Sequence, residues 1–231
     1  DSPIKIDPTD ASGYLSIAAD LTIEAGVEVI VAENKGISFD GGVKADGTCA
    51  QFTTLGTSTE RVTFTADTTF NANALWDGLA FTSDCGSNTM ADRHVITSTD
   101  FSNTNYAAIT AGSRGEGDTA YPKCGTAQQT CDVGEFTMDD VTFSNVETAF
   151  SHGSGQGTVV TMSNFAVTDA RMSCFDFAEN TIATLTGVAG NPSTMTRCNT
   201  NNHIDHGAIT STQGSNAGSL TMEYVNIEDS K

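Results

Sequence analysis

Along residues 136–145 the chain reads FTMDDVTFSN, with apolar side chains at Phe136 and Met138 and then at Val141 and Phe143. The alternation of a half-buried strand therefore slips once, at Asp139-Asp140, and resumes with the same side kept apolar. Such a slip predicts two short strands meeting at a corner. Asn145 closes the phrase where a turn is needed, because Asn and Asp tolerate left-handed backbone and bond to their own chain.

The phrase recurs. VTMSNFAVTD at 160–169 and LTMEYVNIED at 220–229 keep its order of apolar, Thr, Met, two mostly polar residues, apolar, any, apolar, any, Asn or Asp. HVITSTDFSN at 94–103 sets Ile96, Phe101 and Asn103 in register, and a worn copy at 182–191 sets Ile182, Thr184, Gly187, Ala189 and Asn191 in the same slots. The copies begin at 94, 136, 160, 182 and 220, a period of 22 to 24 residues stretched by inserted loops at 112–134 and 190–218. Units this short cannot bury an apolar face alone and must stack on their neighbours. Leucine-rich repeats have this length too, but their Leu ladder and fixed Asn phrase are absent. The expected fold is all-β, a single-stranded parallel β-helix forming one domain over 1–231 after a lead-in at 1–14. Phe136 then lies over Val160, Met138 over Met162 and Val141 over Phe165, while Thr137 and Thr161 face out.

The N-terminal third alternates in the same way between glycines, through LTIEAGVEV at 21–29, FDGGVKADGT at 39–48, VTFTAD at 62–67 and LWDGLAF at 75–81. These lines resemble the opening coils of bacterial secreted and cell-surface right-handed parallel β-helix proteins. The resemblance covers residues 15–110 and extends loosely to EYVNIED near the C-terminus. It implies a right-handed coil, gives Trp76 a packing role at a coil corner, and implies no particular activity.

Charge narrows the partners. A formal net charge of −19, with only 10 Lys plus Arg, repels nucleic acid and anionic membrane surfaces. No apolar run is long enough for a membrane-spanning helix, so membrane insertion is not expected. The acidity reads as a solubilised surface, with Ca²⁺ held by Asp-rich turns as the cofactor alternative, although no EF-hand loop is present. Six cysteines without a C-x-x-C pair point to disulfides, with Cys124 and Cys131 closing a short loop and Cys49–Cys85 and Cys174–Cys198 as one of the possible pairings of the rest. Disulfides place the protein outside the reducing cytoplasm, secreted or on a cell surface.

Several constellations suggest chemistry. Asp139 and Asp140, with His152 and Arg171, resemble the acid and base set of a polysaccharide hydrolase, but His152 lies half a coil away and the Asp pair sits where other copies carry Ser163-Asn164 and Glu223-Tyr224. His203, Asp205 and His206 in NNHIDHG are weak metal-ligand candidates. Trp76, Tyr106 and Tyr121 are weak carbohydrate-binding candidates, since aromatic faces stack on sugar rings. No catalytic constellation is complete. The expected function is a non-catalytic extracellular structural or adhesive rod that self-assembles through its end coils into a head-to-tail filament. The alternative is a polysaccharide-binding or polysaccharide-degrading β-helix. An ice-binding face ranks third, because it needs regular outward T-x-T ladders and only isolated threonines such as 137, 161 and 221 line up.

Overall fold

The computed structural model describes residues 3–9, 12–39, 50–81, 93–112, 134–152, 158–177, 181–202, 204, 206–211 and 218–230. Among the described residues twenty strands follow one another in short rounds of chain, and no helix occurs. The opening strands are β1 (Ile4–Ile6) and β2 (Tyr14–Ile17). Then come β3 (Leu21–Glu24), β4 (Glu28–Val31) and β5 (Gly36–Phe39), followed by β6 (Phe52–Leu55), β7 (Val62–Ala66) and β8 (Leu79–Phe81). In the next two rounds the first two strands fuse across the corner, giving β9 (Arg93–Ser102) with β10 (Ala107–Ala111) and β11 (Glu135–Val146) with β12 (Thr148–His152). Separate strands return in β13 (Val159–Ser163), β14 (Ala166–Ala170) and β15 (Phe175–Phe177), and in β16 (Ile182–Thr186), β17 (Ser193–Cys198) and β18 (Ile209–Ser211). The last are β19 (Ser219–Glu223) and β20 (Val225–Glu228).

All the strand pairs are parallel, and each strand pairs with its counterpart in the next round. First and second strands join one 13-stranded sheet because β9 and β11 belong to both columns, while the third strands form a separate sheet of seven. This all-β, parallel arrangement is compatible with a parallel β-helix.

Register converts the sequence phrase into columns. Phe136 pairs with Val160 and Met138 with Met162, as the repeat predicts. Along the second strands Phe64, Phe101 and Phe143 stack nearly face to face, with centroids 5.1 and 5.3 Å apart and interplanar angles of 9° and 12°. Trp76 extends the stack, 6.1 Å from Phe64. All four rings are buried.

Two ladders of left-handed backbone mark the corners. Ser98, Asp140, Asn164 and Tyr224 have φ between 41° and 53° at the first, and Asn103, Asn145, Asp169, Arg197 and Asp229 lie between 50° and 59° at the second. Asn and Asp dominate because their side chains ease a conformation that costs most L-residues about 1–2 kcal/mol. Asn145 Nδ2 also donates to Asn103 Oδ1 at 2.8 Å, so one turn braces the next.

Three expectations need correction. The worn copy is one residue out of register: Ala183 pairs with Val160 and Leu185 with Met162, so Ala183 and Leu185 are buried while Ile182 faces solvent. A one-residue shift exchanges inside for outside along the whole strand. The stretch 190–218, expected as an inserted loop, carries β17 and β18, whose columns continue those of β14 and β15. The lead-in 1–14 already contains β1, which pairs with β4. Of the 112–134 insert, 113–133 lie outside the described residues.

Cys174 and Cys198 form a buried disulfide that ties the segment before β15 to the end of β17. Cys49, Cys85, Cys124 and Cys131 lie outside the described residues. The disulfide, and the lack among the described residues of a helix long and apolar enough to cross a membrane, are compatible with an extracellular protein. The bridge closes a separation of 24 residues, for which loop entropy gives about 3 kcal/mol. The double variant Cys174→Ala/Cys198→Ala is therefore expected to unfold at lower urea, with stability reduced by about that amount. An unchanged urea midpoint would count against this contribution.

Candidate functional site

A dense polar cluster sits outside the first corner. Asp140 is held there by its left-handed backbone, and the residues around it come from three successive rounds. Arg61, just before β7, donates from Nε to Asp100 Oδ1 at 2.8 Å and from Nη1 to Asp140 Oδ2 at 2.7 Å. Its Nη2 donates to the Asp140 carbonyl at 2.7 Å. Ser98 Oγ donates to Asp140 Oδ2 at 2.7 Å and Thr142 Oγ1 to Asp100 Oδ1 at 2.5 Å. Burial works against the Arg61 charge but is outweighed by the two carboxylates, so its pKa rises. Asp139 points the other way along the corner and accepts from Ser163 Oγ at 2.6 Å and Asn164 Nδ2 at 2.8 Å.

Two carboxylates beside an arginine are the raw material of acid and base catalysis, but a catalytic pair must present an oxygen to a substrate. Here one oxygen of each carboxylate, Asp100 Oδ1 and Asp140 Oδ2, accepts hydrogen bonds from side chains of neighbouring rounds, and these bonds brace the corner. The repeat carried a usable signal for it: aligning 94–103 on 136–145 sets Ser98 against Asp140 and Asp100 against Thr142. Arg61 lay outside every copy and was missed.

The other elements of the hydrolase-like set are dispersed. His152 belongs to β12 in the separate seven-stranded sheet and is buried. Its Nδ1 lies 2.7 Å from Thr181 Oγ1 and its Nε2 lies 2.9 Å from Thr158 Oγ1. Burial lowers its pKa to about 4. His94, absent from the expected core, fills the column between Phe52 and Phe136, where Nδ1 accepts the Phe52 N–H at 3.2 Å and burial lowers the pKa to about 3. Arg171 reaches back two rounds to the carbonyl of Thr104 and contacts Asn145. Arg197 pairs with Asp169 through two bonds of 2.5 and 2.6 Å, which lowers the Asp169 pKa.

Of the carbohydrate and metal candidates, Trp76, Tyr106 and His206 fall among the described residues. Trp76 is fully buried, its Nε1 donating to the Ser102 carbonyl at 2.8 Å, which leaves no ring face for a sugar. Tyr106 is half-buried against Tyr14 and Ala80, and Tyr121 lies outside the described residues. His203 and Asp205 also lie outside them, while His206 Nδ1 is 3.3 Å from Thr210 Oγ1 and 3.5 Å from Ser173 Oγ. Among the described residues no three His, Cys, Asp or Glu side chains gather as a metal site.

No protein-family model matches the sequence, and no curated protein does. A crystal structure of an alginate lyase from Paenibacillus sp. str. FPU-7 is similar at 9% identity over 94% of this chain and 97% of that one, with a TM-score of 0.25, too low to carry fold or activity from one to the other.

Proposed function

We propose that the chain is a single right-handed parallel β-helix acting as a non-catalytic extracellular or cell-surface rod, a structural or adhesive module that assembles head to tail through its end coils. The observation that carries this reading is the run of interior apolar columns that stay in register from round to round, as where Leu220, Met222 and Ile227 continue those of Ala183, Leu185 and Met195. Parallel pairing of this kind can be extended by a second copy, which would supply both backbone partners and apolar side chains. The carboxylates most suggestive of catalysis serve instead as corner braces, which favours a rod over an enzyme.

Size-exclusion chromatography with negative-stain electron microscopy, with and without Ca²⁺, tests the reading. Oligomers or fibres growing along the strand-stacking direction are expected, and Leu220→Lys/Met222→Lys is expected to return the protein to monomers. A native protein that stays monomeric in every condition would overturn the filament. Cleavage of an acidic or neutral polysaccharide would overturn the non-catalytic assignment.

A further inference from the structure

The pairing of β6 with β9 is short and rests partly on side chains. It covers Thr53 to Leu55, whereas β9 pairs with β11 over the span from Arg93 to Ser102. At each end of the β6–β9 joint a side chain stands in for a backbone acceptor. The Phe52 N–H donates to His94 Nδ1 at 3.2 Å, and the Thr97 N–H donates to Thr54 Oγ1 at 3.0 Å. Thr97 Oγ1 donates back to the Thr54 carbonyl at 2.8 Å. One of the two substitute acceptors is therefore a titratable ring, and it is buried.

That bond ties the joint to the charge on His94. A neutral imidazole has one acceptor nitrogen, and since Nδ1 accepts the Phe52 N–H, the hydrogen of the neutral ring sits on Nε2. A proton added to Nδ1 would set N–H against N–H and break the bond. The ring centroids of Phe81, Phe136 and Phe39 lie 4.6, 4.9 and 5.6 Å away, and among the described residues no carboxylate faces the ring to hold a charge there. The strands β5, β6 and β8, which carry Phe39, Phe52 and Phe81, contain no ionisable residue. On β9 and β11, Arg93 pairs with Glu135, Asp100 and Asp140 bind Arg61, and Asp139 accepts from Ser163 and Asn164. Burial is accordingly the cause of the lowered His94 pKa. His152, also buried, differs in its partners. It lies between the hydroxyls of Thr158 and Thr181, and a hydroxyl that donates to the neutral ring can turn and accept from the charged one. Its bonds survive a proton, whereas the bond from Phe52 to His94 does not.

We propose that the β6–β9 joint is an acid-operated latch: His94 takes up a proton when the joint opens, cannot accept the Phe52 N–H again while charged, and so holds β6 away from β9 while the fused-strand rounds β9–β12 stay folded. Rounds of this kind lean chiefly on their neighbours, which lets one joint open without the rest. Above pH 6.5 the ring is neutral in both forms and the latch is closed; below it the open form gains, because the open form binds the proton and the closed form resists it. With a pKa of 6.5 in the open form, the ratio of open to closed joints rises about 25-fold between pH 7 and pH 5. Opening uncovers the rings of Phe39, Phe52 and Phe81, which pack on one another beside His94. Acidification thereby creates an apolar surface that the closed joint hides.

Amide hydrogen exchange, read residue by residue by NMR at pH 7 and pH 5 and corrected for the intrinsic rate at each pH, tests the latch. The Phe52 and Thr97 amides are expected to exchange faster than those of β11 and β13 at both pH values, and to lose protection about 25-fold on acidification. His94→Gln is expected to remove that pH dependence and His152→Gln to keep it. Nitrogen-15 shifts of the imidazole in the native protein at pH 7 are expected to show Nδ1 bare and Nε2 carrying the hydrogen, a readout that does not depend on either variant folding. Equal exchange rates in β6, β11 and β13 at each pH would show that β6 leaves only with the whole fold, and would overturn the proposal. Unchanged protection of Phe52 and Thr97 between the two pH values, a hydrogen on Nδ1, or loss of the response in His152→Gln would overturn it as well.

Discussion

Lowering the pH from 7 to 5 is expected to cost the fold about 4 kcal/mol, about 2 from each of His94 and His152. Both rings are buried and neutral in the folded chain, and burial depresses their pKa values from 6.5 to about 3 and about 4. The unfolded chain takes up a proton at each as pH falls through 6.5, whereas the folded chain resists until its own lower pKa is reached. Their contribution is therefore complete above pH 6.5 and is lost progressively below it, down to about pH 4 for His152 and about pH 3 for His94. The carboxylates of Asp67 and Asp169, whose pKa values are lowered, contribute the same direction of change but only below the ordinary carboxylate range. The interval from pH 6.5 to 5 thus isolates the histidines. Urea midpoints measured across it should fall steeply for the native protein. For His94→Gln/His152→Gln they should start lower at pH 7 and then stay level. Parallel curves for the two proteins would show that the rings are protonated inside the fold.

His94 also shows where sequence reasoning stops. Its neighbours Ile96 and Phe101 were placed correctly from HVITSTDFSN, and Phe101 does pair with Phe143. A histidine at the interior position opposite Phe136 breaks the binary pattern of apolar inside and polar outside. Only the rings around it, Phe39, Phe81 and Phe136, and the Phe52 N–H explain why it is tolerated. The corners were readable because their chemistry is local: left-handed backbone selects Asn and Asp wherever it occurs, and Asn103, Asn145, Asp169 and Asp229 were all in the phrase.

The register of 182–186 was unreadable for the opposite reason. Isoleucine is a better interior residue than alanine, so ranking by hydropathy puts Ile182 inside. The fold instead lets Leu185 continue the Met162 column and accepts the small Ala183 beneath Val160. Gly187 follows, where a Cβ would stand 2.3 Å from the Ser193 nitrogen and 2.4 Å from the Tyr224 oxygen, so the chain needs a glycine there to pass between neighbours. That single shift also moves Thr184 from inside to outside. Columns on the outer surface depend on every round being in register, so the column of Thr137, Thr161 and Thr184 emerges only when the pairings are known. The corner cluster of Arg61, Asp100 and Asp140 was hidden in the same way, since its members lie up to 79 residues apart.

Replacing Phe101 by alanine is expected to destabilise the protein by about 3–5 kcal/mol, the usual range for deleting a buried phenylalanine. The ring lies at the centre of the second-strand stack, sandwiched between Phe64 and Phe143. Parallel backbones hold neighbouring rounds at the strand spacing, so β7 and β11 cannot close on the cavity without breaking the ladder on either side. The lost stacking, about 0.5–1.5 kcal/mol for each ring pair, places the result toward the upper end. Because each round is supported chiefly by the two beside it, the damage should be regional. Amide hydrogen exchange is expected to accelerate in β7, β9 and β11 before it does in β16 or β17. Phe70→Ala provides the contrast: that ring is 98% exposed, and its loss should change stability by no more than about 0.5 kcal/mol. A Phe101 variant as stable as the Phe70 variant would mean that the aromatic stack contributes little beyond filling space, and that the backbone ladders alone hold these rounds together.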